Sequence, residues 1–185
     1  MALYSFGTDM ICMSQSELTS DGDVAGDADG PSLKDISQVI VRLYSERRHS
    51  KSIKVLPDLI WTAGAMYFVL SSMTKEVINR CRVGDEVGFI PTTIQDSKGN
   101  VRSDDYWFMY SSRECDIADY ERSDVSWCDG IPVSVRKWVV NSKKIPPFDL
   151  FYASPNDWFA SEDLKQAFEI NDIGGLQSQS QLGAV

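Results

Sequence analysis

A chain of 185 residues with a net charge of −9 is long enough to bury a core of its own, and five Trp, eight Phe and seven Tyr supply the apolar bodies for it. The acidic balance disfavours nucleic acid and anionic lipid as partners and favours basic protein surfaces, although solubility alone also accounts for it. No stretch nears the roughly 20 apolar residues that span a bilayer, and Cys12, Cys81, Cys115 and Cys128 show neither tight pairs nor metal-ligand spacing, which fits reduced thiols in the cytoplasm.

In chain order, residues 2–13 read as an opening strand through the loose alternation of Leu3, Tyr4, Phe6, Ile11 and Met13. No basic n-region precedes them and Asp9 interrupts the apolar run, so a secretory signal is not expected. Residues 19–30 form a mobile acidic Asp/Gly loop. Part of it, Asp21-Gly22-Asp23-Val24-Ala25-Gly26, resembles a calcium loop, but Ala25 stands where a carboxylate or amide ligand belongs and Ser32 where the bidentate Glu belongs. Calcium is therefore rejected.

A helix over 33–48 is expected next. Ser32 and Asp35 make a capping box, Leu33, Ile36, Ile40, Leu43 and Tyr44 line one face, and Arg47 and Arg48 suit its negative C-terminal end. The cluster Arg47-Arg48-His49-Ser50-Lys51 is short and set in an acidic chain, so it reads as a solvated helix end rather than a nucleic-acid patch.

One pattern then occurs twice. Asp58-Leu59-Ile60-Trp61 leads to Phe68-Val69-Leu70-Ser71 and a helical stretch with Met73, Val77 and Ile78 on one face. Asp149-Leu150-Phe151-Tyr152 leads to Trp158-Phe159-Ala160-Ser161 and a stretch with Leu164, Ala167 and Phe168 in the matching places. Each Ser sits at a helix N-cap position and a Lys follows four residues later. Two similar strand–cap–helix units, around 58–80 and 149–172, are expected.

Between them, Glu86 to Ile94 reads as a strand in which Pro91 marks an edge or a bulge. Asp96-Ser97-Lys98-Gly99-Asn100 is a turn, and Tyr106-Trp107-Phe108-Met109-Tyr110 is apolar on both faces, hence central. From 104 to 129 eight carboxylates face only Arg113 and Arg122, and a strand from Val133 to Val140 follows. Gly174-Gly175 stops the last helix, and 177–185 reads as a disordered tail. The class expected is α+β, a single domain over 1–176 built on mixed or antiparallel strands.

Catalytic chemistry is sparse. His49 is the one histidine and has no evident acid or nucleophile beside it; no phosphate loop, zinc cluster or other cofactor motif appears. Pairs such as Asp104-Asp105 or Asp116 and Asp119 are common in acidic proteins, and a carboxylate-dependent hydrolase would need two of them converging in a pocket. The expectation is a protein without catalytic residues, metal or cofactor.

The order Leu56-Pro57-Asp58-Leu59, Phe68-Val69-Leu70-Ser71, Glu86-Val87-Gly88-Phe89-Ile90-Pro91 and Tyr106-Trp107-Phe108-Met109-Tyr110 resembles the bacterial Imm11-type immunity proteins. So do the segment 115–123, then Phe148-Asp149-Leu150-Phe151, Trp158-Phe159-Ala160-Ser161 and Ile173-Gly174-Gly175-Leu176, so that the likeness runs over about 53–176. Tyr110-Ser111 and Gln177 depart from the pattern, the first where an Asn-containing strand end is usual and the second where an apolar residue is.

The resemblance implies a cytoplasmic antidote that binds and occludes a cognate secreted toxin domain, one that is basic if it acts on nucleic acid. The acidic segment is the candidate toxin-binding surface, with Asp116, Asp119, Glu121 and Asp124 supplying charge and Tyr120 and Trp127 as aromatic anchors. Each carboxylate also reads as a solubilising charge, and either aromatic as a core residue. A non-catalytic adaptor docking another basic protein is the alternative, and both monomer and homodimer stay open.

Overall fold

The computed structural model describes residues 3–6, 12–13, 36–42, 55–62, 68–153, 155, 157–178 and 183–184. The acidic loop at 19–30, with the rejected calcium motif, and the cluster at 47–51 with His49 lie outside the described residues. Strands dominate and two α-helices accompany them among the described residues, so the class is α+β. The chain divides into two compact units, one made of Met1–Gly7, Val77–Glu86 and Arg113–Val185, the other of Thr8–Glu76 and Val87–Ser112.

The second of these holds a six-stranded sheet. Its strands are β2 (Cys12–Met13), β3 (Val39–Arg42), β4 (Leu59–Thr62), β5 (Phe68–Ser71), β6 (Val87–Gln95) and β7 (Val101–Ser111), in the spatial order β2-β4-β5-β7-β6-β3. β7 is central, and Val69, Ile90, Ile94, Tyr106 and Phe108 bury a core with Ile60, Val39 and Val41. The β6–β7 turn is tied by the Asp96 carboxylate, which accepts from the Lys98 and Asn100 backbone N–H groups at 2.8 and 2.9 Å and from Asn100 Nδ2 at 2.8 Å. Those bonds, the Asn100 side chain first, hold the Asp96 carboxyl below its ordinary range.

The helix expected over 33–48 is not formed where the chain is described. Val39–Arg42 is a strand that pairs in parallel with Thr92–Gln95, burying Val39 and Val41 alternately. Three β-branched residues in a row, Val39-Ile40-Val41, carry a period of two inside the apparent helical spacing. The exposed edge of β6 then decides between the two periods, because sheet pairing supplies backbone partners and burial together. The pairing begins at Thr92, so Pro91 precedes the stretch where β6 needs its second set of donors. The opening strand also divides: Leu3–Phe6 (β1) and Cys12–Met13 belong to different sheets, and the intervening Gly7-Thr8-Asp9 carries no alternation.

The other unit holds a four-stranded antiparallel sheet in the order β11-β12-β1-β13, from Leu150–Ala153, Asp157–Ser161, Leu3–Phe6 and Leu176–Ser178. It also contains the ribbon of β8 (Asp124–Cys128) and β9 (Ile131–Lys137), and a parallel pair of β10 (Val139–Val140) with β14 (Gly183–Ala184). Of the tail at 177–185, residues 177–178 and 183–184 thus lie in strands, and 179–182 and 185 are outside the described residues. The core gathers Leu3, Ile117, Ala118, Trp138, Val140, Phe151, Ala153 and Phe159. Phe159 is edge-on to Trp138 at 5.1 Å and stacked on Phe151 at 5.8 Å.

Each helix follows a strand without a break: α1 (Ser72–Asn79) after β5 and α2 (Glu162–Ile170) after β12. Ser71 Oγ accepts the Thr74 N–H and Ser161 Oγ the Leu164 N–H, both at 3.3 Å, which satisfies a donor that the first turn leaves unpaired. The same hydroxyls donate backwards, Ser71 to Asp58 Oδ1 at 2.7 Å and Ser161 to Asp149 Oδ1 at 2.9 Å. The strand beside each hairpin then sets an aromatic under the helix. Trp107 stands opposite Leu70 with Lys75 Nζ 3.0 Å above its ring, and Tyr4 opposite Ala160 with Lys165 Nζ 4.8 Å above its ring.

Candidate functional site

The acidic segment begins as a strap over the core of its unit. The Cys115 N–H donates to the Tyr152 carbonyl at 2.8 Å, the Asp119 N–H to the Val139 carbonyl at 2.8 Å, and the Asn141 N–H to the Ile117 carbonyl at 2.9 Å. These bonds turn Ile117 and Ala118 fully inward and leave Asp116 exposed and Asp119 half-exposed. The alternation is thus imposed by backbone pairing on both sides, with bridges from Cys115 to Ala153 and Ala118 to Val140.

Beyond the strap, Ser123 closes a turn. Its N–H donates to the Asp119 carbonyl at 2.9 Å, and its hydroxyl accepts the Val139 N–H at 3.0 Å. β8 then runs out to Cys128, reverses through Asp129-Gly130, and returns as β9. Positive φ at Asp129 (50°) and Gly130 (79°) makes this the two-residue reversal whose twist suits adjoining antiparallel strands. The register pairs Val125 with Val135, Ser126 with Ser134, Trp127 with Pro132 and Cys128 with Ile131, and a shift between Ser126 and Trp127 leaves Val133 as an extra residue.

The six candidate residues therefore lie in one unit but play different parts. Asp116 is held by Lys144 Nζ at 2.9 Å, and this bond raises the lysine's pKa. Asp124 lies 3.9 Å from Arg136 Nε. Both pairs are exposed, so solvent and salt screen them. Glu121 is exposed and forms no ion pair among the described residues. Tyr120 packs against the core of its unit, whereas Trp127 keeps 51% of its surface open; their rings meet at 5.5 Å, tilted by 56°. Of the two aromatics, Tyr120 anchors the segment to its own unit and Trp127 is the one a partner can reach.

Sequence reasoning passed over the ribbon itself. The return strand starts at Ile131, not Val133, and it ends at Lys137; Trp138, only 1% exposed, separates it from β10. Asp-Gly between two β-prone runs is the signal that finds such a hairpin, and it was masked by the density of acidic residues around it. With the ribbon come exposed Ile131 (64%) and Val133 (46%), both absent from the candidate set.

Among the described residues no group of three or more His, Cys, Asp or Glu side chains is placed to hold a metal ion, and no helix is long and apolar enough to cross a membrane. The arrangement at 115–137 is a backbone-fixed strap, exposed carboxylates and a two-stranded ribbon bearing exposed large apolar side chains. No curated protein matches the chain. The family model described as Immunity protein family (Imm11) matches residues 9–181, a span that takes in most of both units and the whole acidic segment, and this chain belongs to that family.

Proposed function

We propose that this protein is a cytoplasmic antidote that binds the toxin domain of a cognate secreted toxin and blocks its active cleft. The observation that carries this reading is the family match across nearly the whole chain. The surface chemistry supports a basic toxin, of the kind that acts on nucleic acid: within one unit, six carboxylates stand against Arg113 and Arg122 between 113 and 129, which favours association steered by charge. The units at 58–80 and 149–172 serve as copies of one module that carries the core, a reading supported by their matching Asp–Ser bonds. The segment 115–137, which has no counterpart in the module, is left for recognition.

Co-purification against the toxin domain encoded beside the gene tests the reading. A stoichiometric complex that also restores growth to cells expressing the domain supports it, and neither complex nor rescue overturns it. Within the complex, the double substitution Asp119→Lys/Glu121→Lys should slow association on the order of 10-fold at low salt and much less at high salt, with the melting temperature unchanged. A rate that does not respond to these changes would remove the strap carboxylates from recognition.

A further inference from the structure

The geometry points to the outer half of the β8–β9 ribbon, residues 127–133, as a finger that enters a concave cleft of the toxin domain, gripped on both of its faces. This rests on the immunity reading and names the part of the surface that makes the contact.

Three observations lead there. First, among the described residues no further strand pairs with the ribbon on either side, and its outer part is exposed at Trp127, Cys128, Asp129, Gly130, Ile131 and Val133. Isolated hairpins are marginally stable in water, and exposed large apolar groups that cluster mark a surface that another molecule covers. Second, the apolar groups are on both faces. Side chains of directly opposed residues share a face and successive residues alternate, so the Trp127/Pro132 pair lies on one side and the Cys128/Ile131 pair on the other. A ribbon lying flat on a partner would need apolar groups on one side only; apolar groups on both sides fit a cleft.

Third, the inner half is fastened. Val135 and Tyr120 pack on the core, and Ser123 ties the approach strand to Val139 through two hydrogen bonds, at 3.0 and 3.3 Å. The outer half is therefore presented with little freedom left to lose on binding. Charge completes the fit: Asp129 at the tip and Glu121 near the base are carboxylates without an ion pair among the described residues, complementary to a basic cleft built to hold an anionic substrate.

The test uses the full chain and a catalytically inactivated form of the toxin domain encoded beside the gene, with affinity by calorimetry and folding by thermal melt. Ile131→Asp and Trp127→Ala should each weaken binding roughly 10-fold or more, as truncations at central contact residues do. Ile131→Asp should leave the melting temperature in place, because that side chain is open in the free protein. Hydroxyl-radical footprinting should show Trp127 and Ile131 both protected in the complex. If the wild-type protein binds and either substitution leaves affinity unchanged, or only one face is protected, insertion is overturned while the immunity reading stands. If the wild-type protein does not bind the domain at all, both readings fall together.

Discussion

Replacing Asp149 by Ala should lower stability by about 1–3 kcal/mol, the range for leaving buried donors without their acceptor. The residue is 4% exposed, and its carboxylate accepts four hydrogen bonds: the Arg82 backbone N–H at 2.9 Å, Arg82 Nε at 3.2 Å, Arg82 Nη2 at 2.9 Å and the Ser161 hydroxyl at 2.9 Å. The Asp149 N–H also donates to the Arg82 carbonyl at 2.6 Å, and Val83 bridges in parallel to Leu150. One side chain thus closes a backbone pairing, an ion pair and the cap of α2. The loss is limited because the Arg82 side chain is 67% exposed and regains water when its partner is removed.

Urea denaturation reads the loss directly, and Asp58→Ala is the internal comparison. Asp58 accepts the Ser71 hydroxyl at 2.7 Å but is half-buried, so its removal should cost about 1 kcal/mol, the scale of one cap interaction. Equal losses at the two positions would show that the Arg82 contacts contribute nothing beyond the cap. Acid adds a second reading. Burial pushes the Asp149 carboxyl up, but the Arg82 side chain, the Arg82 N–H and the Ser161 hydroxyl outweigh it, and the pKa falls below its ordinary 3.8. A group depressed in the folded state stabilises above its unfolded pKa and loses that contribution as pH drops through the folded value. Below pH 4 the wild-type protein should therefore lose stability faster than Asp149→Asn.

How much of this was legible in the chain depends on the distance over which each interaction is decided. Ser71 and Ser161 could be assigned to caps because a cap is settled within four residues, and the Asp96–Asn100 turn for the same reason. Val39–Arg42 could not, since the residues it pairs with start more than fifty positions later at Thr92 and local spacing favours a helix. The same holds for Leu3–Phe6, whose partners lie at Ser161 and Ser178, and for Arg82, whose carboxylate is 67 residues away. In the candidate surface the carboxylates were visible as composition. Their division into the paired Asp116 and Asp124 and the open Glu121 depends on Lys144 and Arg136, which only folding brings near. The ribbon was missed for a different reason: Asp129-Gly130 is a local signal, outweighed in the reading by the net charge of its surroundings.

The second large effect expected is a stability that rises as pH falls, centred on Trp138 and Asp157. Trp138 is fully buried and packs edge-on against Phe159, so Trp138→Ala should cost about 3–5 kcal/mol. Its indole Nε1 donates to Asp157 Oδ2 at 2.9 Å. Burial pushes the Asp157 carboxyl up to about 6, and the indole bond opposes that rise without cancelling it. Because the folded-state pKa lies above the unfolded value of 3.8, the folded protein binds the extra proton between these two values. This group's contribution is complete below pH 3.8 and disappears as pH rises through 6, at roughly 1 kcal/mol per pH unit inside the window. Asp157→Asn should flatten the profile between pH 4 and 6 and stabilise the protein at pH 7.5 by on the order of 1–2 kcal/mol, since a neutral amide oxygen still accepts the indole N–H. Trp138→Phe removes the indole bond that favours the charged form, so the upper limit of the window should move above pH 6. Chemical denaturation at pH 4.5, 6 and 7.5 separates these outcomes. A flat wild-type profile, or a slope that survives in Asp157→Asn, would place the titrating group elsewhere.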